Sequence, residues 1–197
     1  MGSSFRQIVR QQLRTTALDA AHRLVSERGW ASVRMGQVAA AVGVSRQTLY
    51  NEFGSKDELG TALVQRETDQ FVTGVAEQLA RHADDLEKAV TAAVGYALEQ
   101  AATNPLVHAV LTSARTDTAG LLPLLTTRSE PVLTAASTVV IDFLTRTRPD
   151  LDTDTVEIVT DSLVRLTVSH IVLPTDTPER TARKLSTLAL RALTAPH

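Results

Sequence analysis

Apolar residues recur along this chain at intervals of three and four, and the strict alternation that marks a half-buried strand is almost absent. Val9, Leu13, Ala17, Ala20 and Leu24 form one stripe of a long first helix, which Gly29 ends. Two short segments follow, Met35 to Val42, broken by Gly43, and Ser45 to Phe53, broken by Gly54. Ser55-Lys56-Asp57-Glu58 then has the spacing of a capping box, in which Ser55 bonds a free backbone N–H of the first turn and Glu58 reaches back to the cap. The helix it opens carries Leu59 and Leu63 and continues past Phe71 and Val75.

The remainder keeps the helical period. Leu86, Ala89, Val90, Ala93, Val94, Ala97, Leu98 and Ala101 make a wide apolar face, and Asn104-Pro105 reads as a cap followed by proline at the first helical position. The helix through Val132, Ala136, Val140 and Leu144 should stop near Arg148, because Pro149 disfavours helical geometry in the residue before it. Asp152-Thr153-Asp154 starts a further helix that runs to Pro174, and Thr177-Pro178-Glu179 starts the last. The expectation is an all-α fold of about nine helices. Valine and threonine are frequent in the later helices, so tertiary packing rather than propensity must hold them.

Charge changes this picture once it is divided. Residues 1–66 hold nine basic and five acidic side chains, and residues 67–197 hold eleven basic and seventeen acidic. A basic front on an acidic body points to a polyanion met by the front alone. Cysteine is absent, which removes disulfide scaffolds, thiolate metal sites and thiol nucleophiles. The longest run without Asp, Glu, Lys or Arg, Gln100 to Ala114, contains Asn104, Pro105 and His108 and is no membrane span. With no signal-peptide pattern at the amino end, the cytoplasm is the expected compartment.

The chemistry concentrates in Met35 to Phe53. Val38, Ala39 and Val42 face inward, Gly43 ends their helix by taking positive φ, Val44 fills the gap and Ser45 caps the next helix. Leu49 and Phe53, four apart, face the core and leave Arg46, Gln47, Tyr50 and Asn51 outside. This is a helix-turn-helix whose outer side chains donate in pairs, Arg to guanine O6 and N7, Gln or Asn to adenine N6 and N7.

At Gly43-Val44-Ser45, Thr48-Leu49-Tyr50, Phe53, Ser55-Lys56 and Leu59 the chain resembles the TetR family of bacterial transcriptional repressors. The resemblance covers residues 14–65; beyond that it rests on length and helical character. It implies a three-helix DNA-binding domain over residues 1–55 and a larger ligand-binding and dimerisation domain over 56–197. Ser45, Thr48, Tyr50 and Lys56 would touch phosphates, Arg46 and Gln47 would reach base edges, and Asn51 would contact either. Arg34 stands where the family holds a capping Thr or Ser; it would pair with a phosphate. Glu52 would repel phosphate and should be turned away or paired with a basic residue. The partners implied are a palindromic double-stranded operator, a second copy through residues 154–194 and a small-molecule inducer. The pocket should lie between the middle helices, apolar through Phe71, Leu111 and Phe143, with Tyr96, His108 and His170 as polar handles. That favours a lipophilic inducer. No cofactor, metal site or catalytic residue is expected: G-x-S-x-G, G-x-G-x-x-G and a phosphate-cradling G-K-[ST] loop are missing, the five histidines are scattered, and the acidic clusters sit at helix starts. The competing class is a helical ligand-binding or interaction protein, acting as an activator or without an inducer; an interaction module without DNA would leave the outward Arg46, Gln47 and Asn51 unexplained.

Overall fold

The computed structural model describes residues 2–112 and 129–194. Among them are nine α-helices, one 3-10 turn and no strand, as the three-and-four periodicity predicts. The chain divides into two compact units, one closing at Arg66 and the other beginning at Glu67.

The first unit contains α1 (Gly2–Arg28), a 3-10 turn (Trp30–Ser32), α2 (Met35–Val42), α3 (Arg46–Phe53) and the first turns of α4 (Lys56–Arg81). Its core is closed to solvent: Ala17, Ala21, Val38, Leu49, Leu59 and Leu63 are wholly buried. The inward face of α1 is rich in alanine, and α2, α3 and the 3-10 turn pack on it. That face is Ala17, Leu18, Ala20, Ala21 and Val25, which corrects the amino-terminal part of the predicted stripe: Val9 is exposed, with Phe5 and Ile8. The reason is length. The 27 residues of α1 span about 40 Å, whereas α2 and α3, eight residues each, span about 12 Å. The early turns of α1 therefore overhang their neighbours.

The second unit contains the rest of α4, α5 (Leu86–Thr103), α6 (Pro105–Thr112), α7 (Ser129–Thr147), α8 (Thr153–Val172) and α9 (Pro178–Leu193). Helix α5 is central and packs against α6, α8 and α9, while α8 also lies against α6, α7 and α9. Small residues permit this: a Cβ placed on Gly95 would stand 3.8 Å from the Cβ of Ala182 on α9. Side-chain caps fix the helix starts where the sequence places them. Asp85 accepts from Lys88 N at 3.0 Å, Asp152 from Thr155 N at 2.8 Å and Thr177 from Arg180 N at 3.4 Å. Among the described residues no helix is long and apolar enough to cross a membrane.

One polar link lies deep in this unit. Asn104 both ends α5 and starts α6, its Oδ1 accepting from Leu106 N at 3.0 Å, while its Nδ2 donates to Glu67 of α4 at 3.0 Å. Glu67 is a buried carboxylate, so each bond to it replaces lost hydration. Asn104→Ala removes the cap and the donor together and should lower stability by about 2–4 kcal/mol. Asn104→Ser keeps a cap but not the reach to Glu67, so its urea midpoint should fall between that of Ala and that of the unsubstituted chain. Equal midpoints for Ser and Ala would show that the Glu67 bond alone carries the effect.

Candidate nucleic-acid interface and ligand cavity

The turn between α2 and α3 is set by one glycine. Gly43 sits at φ 79, ψ 28, in the left-handed region. From there its N–H reaches Ala40 O at 3.3 Å, and Val44 N reaches Ala39 O at 3.0 Å, the paired closure that stops a helix abruptly. Ser45 then caps α3, accepting from Thr48 N at 3.0 Å. Arg34 precedes α2 as expected, but the guanidinium has no acceptor; Gln37 supplies the cap bond, its Oε1 accepting from Arg34 N at 2.9 Å. At the start of α4, Ser55 Oγ accepts from Glu58 N at 3.1 Å, and the Glu58 carboxylate folds back beside Gly54.

Burial of Leu49 and Phe53 turns the opposite face of α3 outward. Arg46, Gln47, Thr48, Tyr50 and Asn51 are exposed together with Ser45, as is Arg34. Five of these side chains have local neighbours. Gln47 Nε2 donates to Asn51 Oδ1 at 2.8 Å, and the Ser45 and Thr48 hydroxyls are 2.8 Å apart. The Arg46 side chain lies over Gly36 of α2, where a Cβ would approach its Nε to 2.7 Å. Lys56 is half-buried; its Nζ donates to Trp30 O at 2.9 Å and stands 4.9 Å from the centroid of the Trp30 ring. Glu52 is paired, as its expected repulsion of phosphate requires: Arg10 Nε at 2.7 Å and Arg14 Nη1 at 3.3 Å contact its carboxylate, which is 6% exposed. Arg14 also covers the Phe53 ring at 5.0 Å. The slot at Gly36, the cap from Gln37 and the arginine pair from α1 are contacts that the sequence did not reveal; the only sequence signal was the charge problem posed by Glu52.

The second unit holds a cavity of about 60 Å³. Phe71, Val75 and Leu79 of α4 form one wall, Val90, Ala93, Val94 and Ala97 of α5 another, and α7 and α8 close it through Leu133, Ala136, Val140, Leu163 and Ile171 among others. Among the described residues its one polar side chain is Thr167, whose hydroxyl donates to Leu163 O at 2.8 Å. Of the expected pocket residues, Phe71 is in the wall. Tyr96 is half-buried behind it, its ring stacked on Phe71 at 6.1 Å and its hydroxyl seated against Gly74. Burial, reinforced by Glu77, pushes the Tyr96 phenol up from its ordinary value, so it is neutral near pH 7. Phe143 is buried outside the wall, His170 is half-buried outside it, and His108 is exposed on α6. The Leu111 side chain lies outside the described residues. Phe71, Tyr96, Phe143 and His170 lie on helices that line the cavity, whereas His108 and Leu111 lie on α6, which contributes no described wall residue; the direction each side chain takes depended on neighbours far along the chain.

The sequence matches the bacterial regulatory proteins of the tetR family over residues 17–63, and the C-terminal domain of the bacterial tetracyclin repressor over residues 85–191. It is 32% identical over 180 residues to the HTH-type transcriptional regulator AlkX of Mycobacterium tuberculosis, covering 91% of this chain and 84% of that protein. The HTH-type transcriptional activator FasR of Mycolicibacterium smegmatis is 34% identical over 82 residues, 42% of this chain and 37% of its own length. Among solved structures, the TetR family repressor AlkX from Dietzia sp., implicated in biodegradation of n-alkanes, superposes with a TM-score of 0.65 at 29% identity, over 90% of this chain and 96% of that one.

Two glycines should respond in opposite ways. Gly43→Ala meets no atom within 4 Å, so its cost is conformational alone, about 1–2 kcal/mol for a Cβ held in the left-handed region. Gly36→Ala improves helix propensity, but its methyl takes the space of the flexible Arg46 side chain. We expect chemical denaturation to show a clear loss for Gly43→Ala and little change for Gly36→Ala, while DNA binding changes in the second. Unchanged DNA affinity in a folded Gly36→Ala protein would show that the resting position of Arg46 has no bearing on recognition.

Proposed function

Because the chain belongs to the TetR family of bacterial transcriptional regulators, we propose that it is a repressor that binds a palindromic operator as a homodimer and leaves it when a lipophilic small molecule occupies the cavity. The observation that carries this reading is the outward face of α3, where Arg46, Gln47, Tyr50 and Asn51 are exposed beside the Ser45 cap. None of these side chains supports the core, and all have the donor chemistry of the major groove and its phosphates. The reading helices lie within residues 1–55, and the ligand and dimer surfaces within 56–197. The action belongs in the cytoplasm, where the chromosome lies.

In this reading Arg46 and Gln47 reach base edges, Asn51 contacts a base or a phosphate, and Arg34, Ser45, Thr48, Tyr50 and Lys56 hold phosphates. The local pairs of the free protein fit the assignment. Lys56 has three donors, so it can keep the Trp30 carbonyl and offer another N–H to a phosphate. Gln47 and Asn51, bonded to each other on the outer face, present their amides side by side. Arg46→Ala or Gln47→Ala should relax base preference at one half-site position at a cost of about 1–3 kcal/mol. Lys56→Ala should weaken all sequences alike and reduce the salt slope by about one unit. A selection of bound genomic fragments, repeated with each variant, reads both effects. A wild-type protein that enriches no sequence would refute operator recognition.

The cavity supports the class of inducer. Among the described residues its lining carries no ionisable side chain, and the hydroxyl of Thr167 is already bonded. A ligand whose buried part is a hydrocarbon fits it, and a relative of known structure is implicated in n-alkane degradation. The dimer surface is assigned to residues 154–194, where α8 and α9 leave Ile158, Leu173 and Leu188 exposed. Ala93→Leu fills the cavity at its α5 wall. It should melt close to the wild type and bind operator normally, yet fail to respond to long-chain alkanes or their oxidised products. A lowered melting point from overpacking, a stability loss of the order of 1–3 kcal/mol, with no lipophile affecting the wild type, would remove the inducer from this reading. Transcripts beside the operator should rise when the gene is deleted; a fall would make the protein an activator.

A further inference from the structure

The inward face of α1 changes its chemistry along its length. Ala17, Ala21 and Val25 are buried in the first core. Counted back by the helical repeat, the same face is continued by Arg14, Arg10 and Arg6. Phe5, Ile8 and Val9, exposed on the overhanging turns, fall on the other side. The arginine stripe thus begins where the packing ends, and it meets α3 at Glu52. Arg10 Nε donates to Glu52 Oε2 at 2.7 Å and Arg14 Nη1 to Oε1 at 3.3 Å. The Glu52 side chain is 6% exposed, whereas that of Arg10 is 69% and that of Arg14 40% exposed. Arg14 also covers Phe53, but Arg10 has Glu52 as its sole partner among the described residues. One of the five N–H groups of Arg10 is therefore used, and its outer nitrogens face solvent. Two guanidinium groups against one carboxylate leave the cluster with one net positive charge, next to the exposed Asn51 of the reading face.

We propose that Arg10 is a further DNA contact, taking a backbone phosphate with its outer N–H groups, and that Glu52 is the positioning residue that aims it. The inference rests on the reading of the α3 face as the operator-binding surface and extends that surface onto α1. A carboxylate on a helix that meets a polyanion lowers affinity by its charge. An ion pair to so exposed an arginine adds little to stability. What Glu52 supplies is geometry. An exposed arginine loses rotamer freedom when it binds, and a bond at Nε holds the guanidinium fork in one place relative to the recognition helix itself. The fork matches phosphate oxygens. The major groove admits one helix, so a helix lying beside the reading helix stands over the backbone rather than the bases.

The sign of one substitution separates positioning from a purely structural role. Fluorescence anisotropy of the full chain would use two labelled duplexes over a range of sodium chloride concentrations. One is the genomic fragment that the wild type enriches most, the other a scrambled duplex of the same length. Arg10→Ala should weaken both alike and lower the salt slope by about one unit for each subunit. Glu52→Ala should also weaken both severalfold, although it removes a negative charge from the face that meets DNA. A Glu52 that served the fold alone would, once replaced, leave a protein that holds DNA more tightly. In a chain that already lacks Arg10, Glu52→Ala should instead strengthen binding, because only its charge is then left to remove. If Glu52→Ala melts well below the wild type, Glu52→Met keeps the volume, removes the acceptor and carries the same test. An Arg10→Ala chain with wild-type affinity and slope, or a Glu52 variant that binds as tightly as the wild type or tighter, overturns the inference and leaves the α3 face standing. A Glu52 variant that weakens binding equally with and without Arg10 overturns the positioning role. A wild-type chain that binds neither duplex overturns the α3 reading as well.

Discussion

Helix α4 belongs to both compact units, and its unbroken backbone is the constraint on which the rest depends. Lys56–Arg66 complete the first core, where Leu59 and Leu63 are wholly buried, and Glu67–Arg81 help to build the second. The two residues at the change of unit are fastened to different elements. Arg66 bonds Asp19 of α1 at 2.7 Å, and Glu67 takes the amide of Asn104 at the α5–α6 junction. Four residues further on, Phe71 opens the α4 wall of the cavity. Helix α4 contains no proline, the commonest cause of a sharp kink. The cavity wall at Phe71 and the lysine that bonds Trp30 therefore lie on one continuous helix. Under the proposed function, this covalent continuity gives a ligand a route to the DNA-binding unit without a separate relay.

The face of α3 is prepared rather than loose. Exposed arginine, glutamine and lysine side chains ordinarily lose substantial rotamer freedom when they bind. Here Gln47 is already bonded to Asn51, Arg46 is lodged over Gly36 and Lys56 is held by Trp30. Each contact lowers the entropy left to lose on binding and also opposes the competing geometry that a base or phosphate demands. Glu52 shows the same balance in reverse. Its carboxylate is shielded by Arg10 and Arg14, so the recognition helix keeps an acidic residue without presenting bare negative charge. The arginines offset its charge, and in doing so they give up part of their own attraction for a polyanion.

The local signals were legible in the sequence because they act within a few residues. Gly29 and Gly43, both at positive φ, end helices where glycine predicts an end. Ser45, Asp85, Asn104, Asp152 and Thr177 all cap helices through bonds spanning two or three residues. Misplaced details depended on distance along the chain. Val9 continues the helical stripe but overhangs the short helices that would have covered it. His108, Tyr96, Phe143 and His170 have the polarity or size expected of a pocket, yet among the described residues the wall is made mostly by alanine, valine and leucine, with Phe71, Ile171 and Thr167, from four helices. A side chain's direction within a bundle is fixed by the crossing of helices, which periodicity along one helix does not encode. Gly36 was silent for the same reason: its role is the space it leaves for Arg46, ten residues later and on another helix.

The size of the cavity adds a last physical step. At about 60 Å³ it is far below the roughly 300–1,000 Å³ of a site that encloses a drug-sized molecule. A lipophilic ligand larger than this space, if enclosed between the four helices that line it, would have to widen it. Densely packed interiors do not yield continuously; they move as helices that shift against one another. The wall contributed by α5 is braced by close contact with α9 at Gly95 and Ala182. The α4 wall is instead locked through Tyr96, which stacks on Phe71 and sets its hydroxyl against Gly74. Widening that moves Phe71 must also disturb this ring, so the same displacement that admits a ligand releases a contact holding α4 to α5. A ligand acts on an equilibrium only through its different affinity for two arrangements. A narrow apolar cavity supplies that difference directly where the arrangement too narrow for the ligand binds it less well.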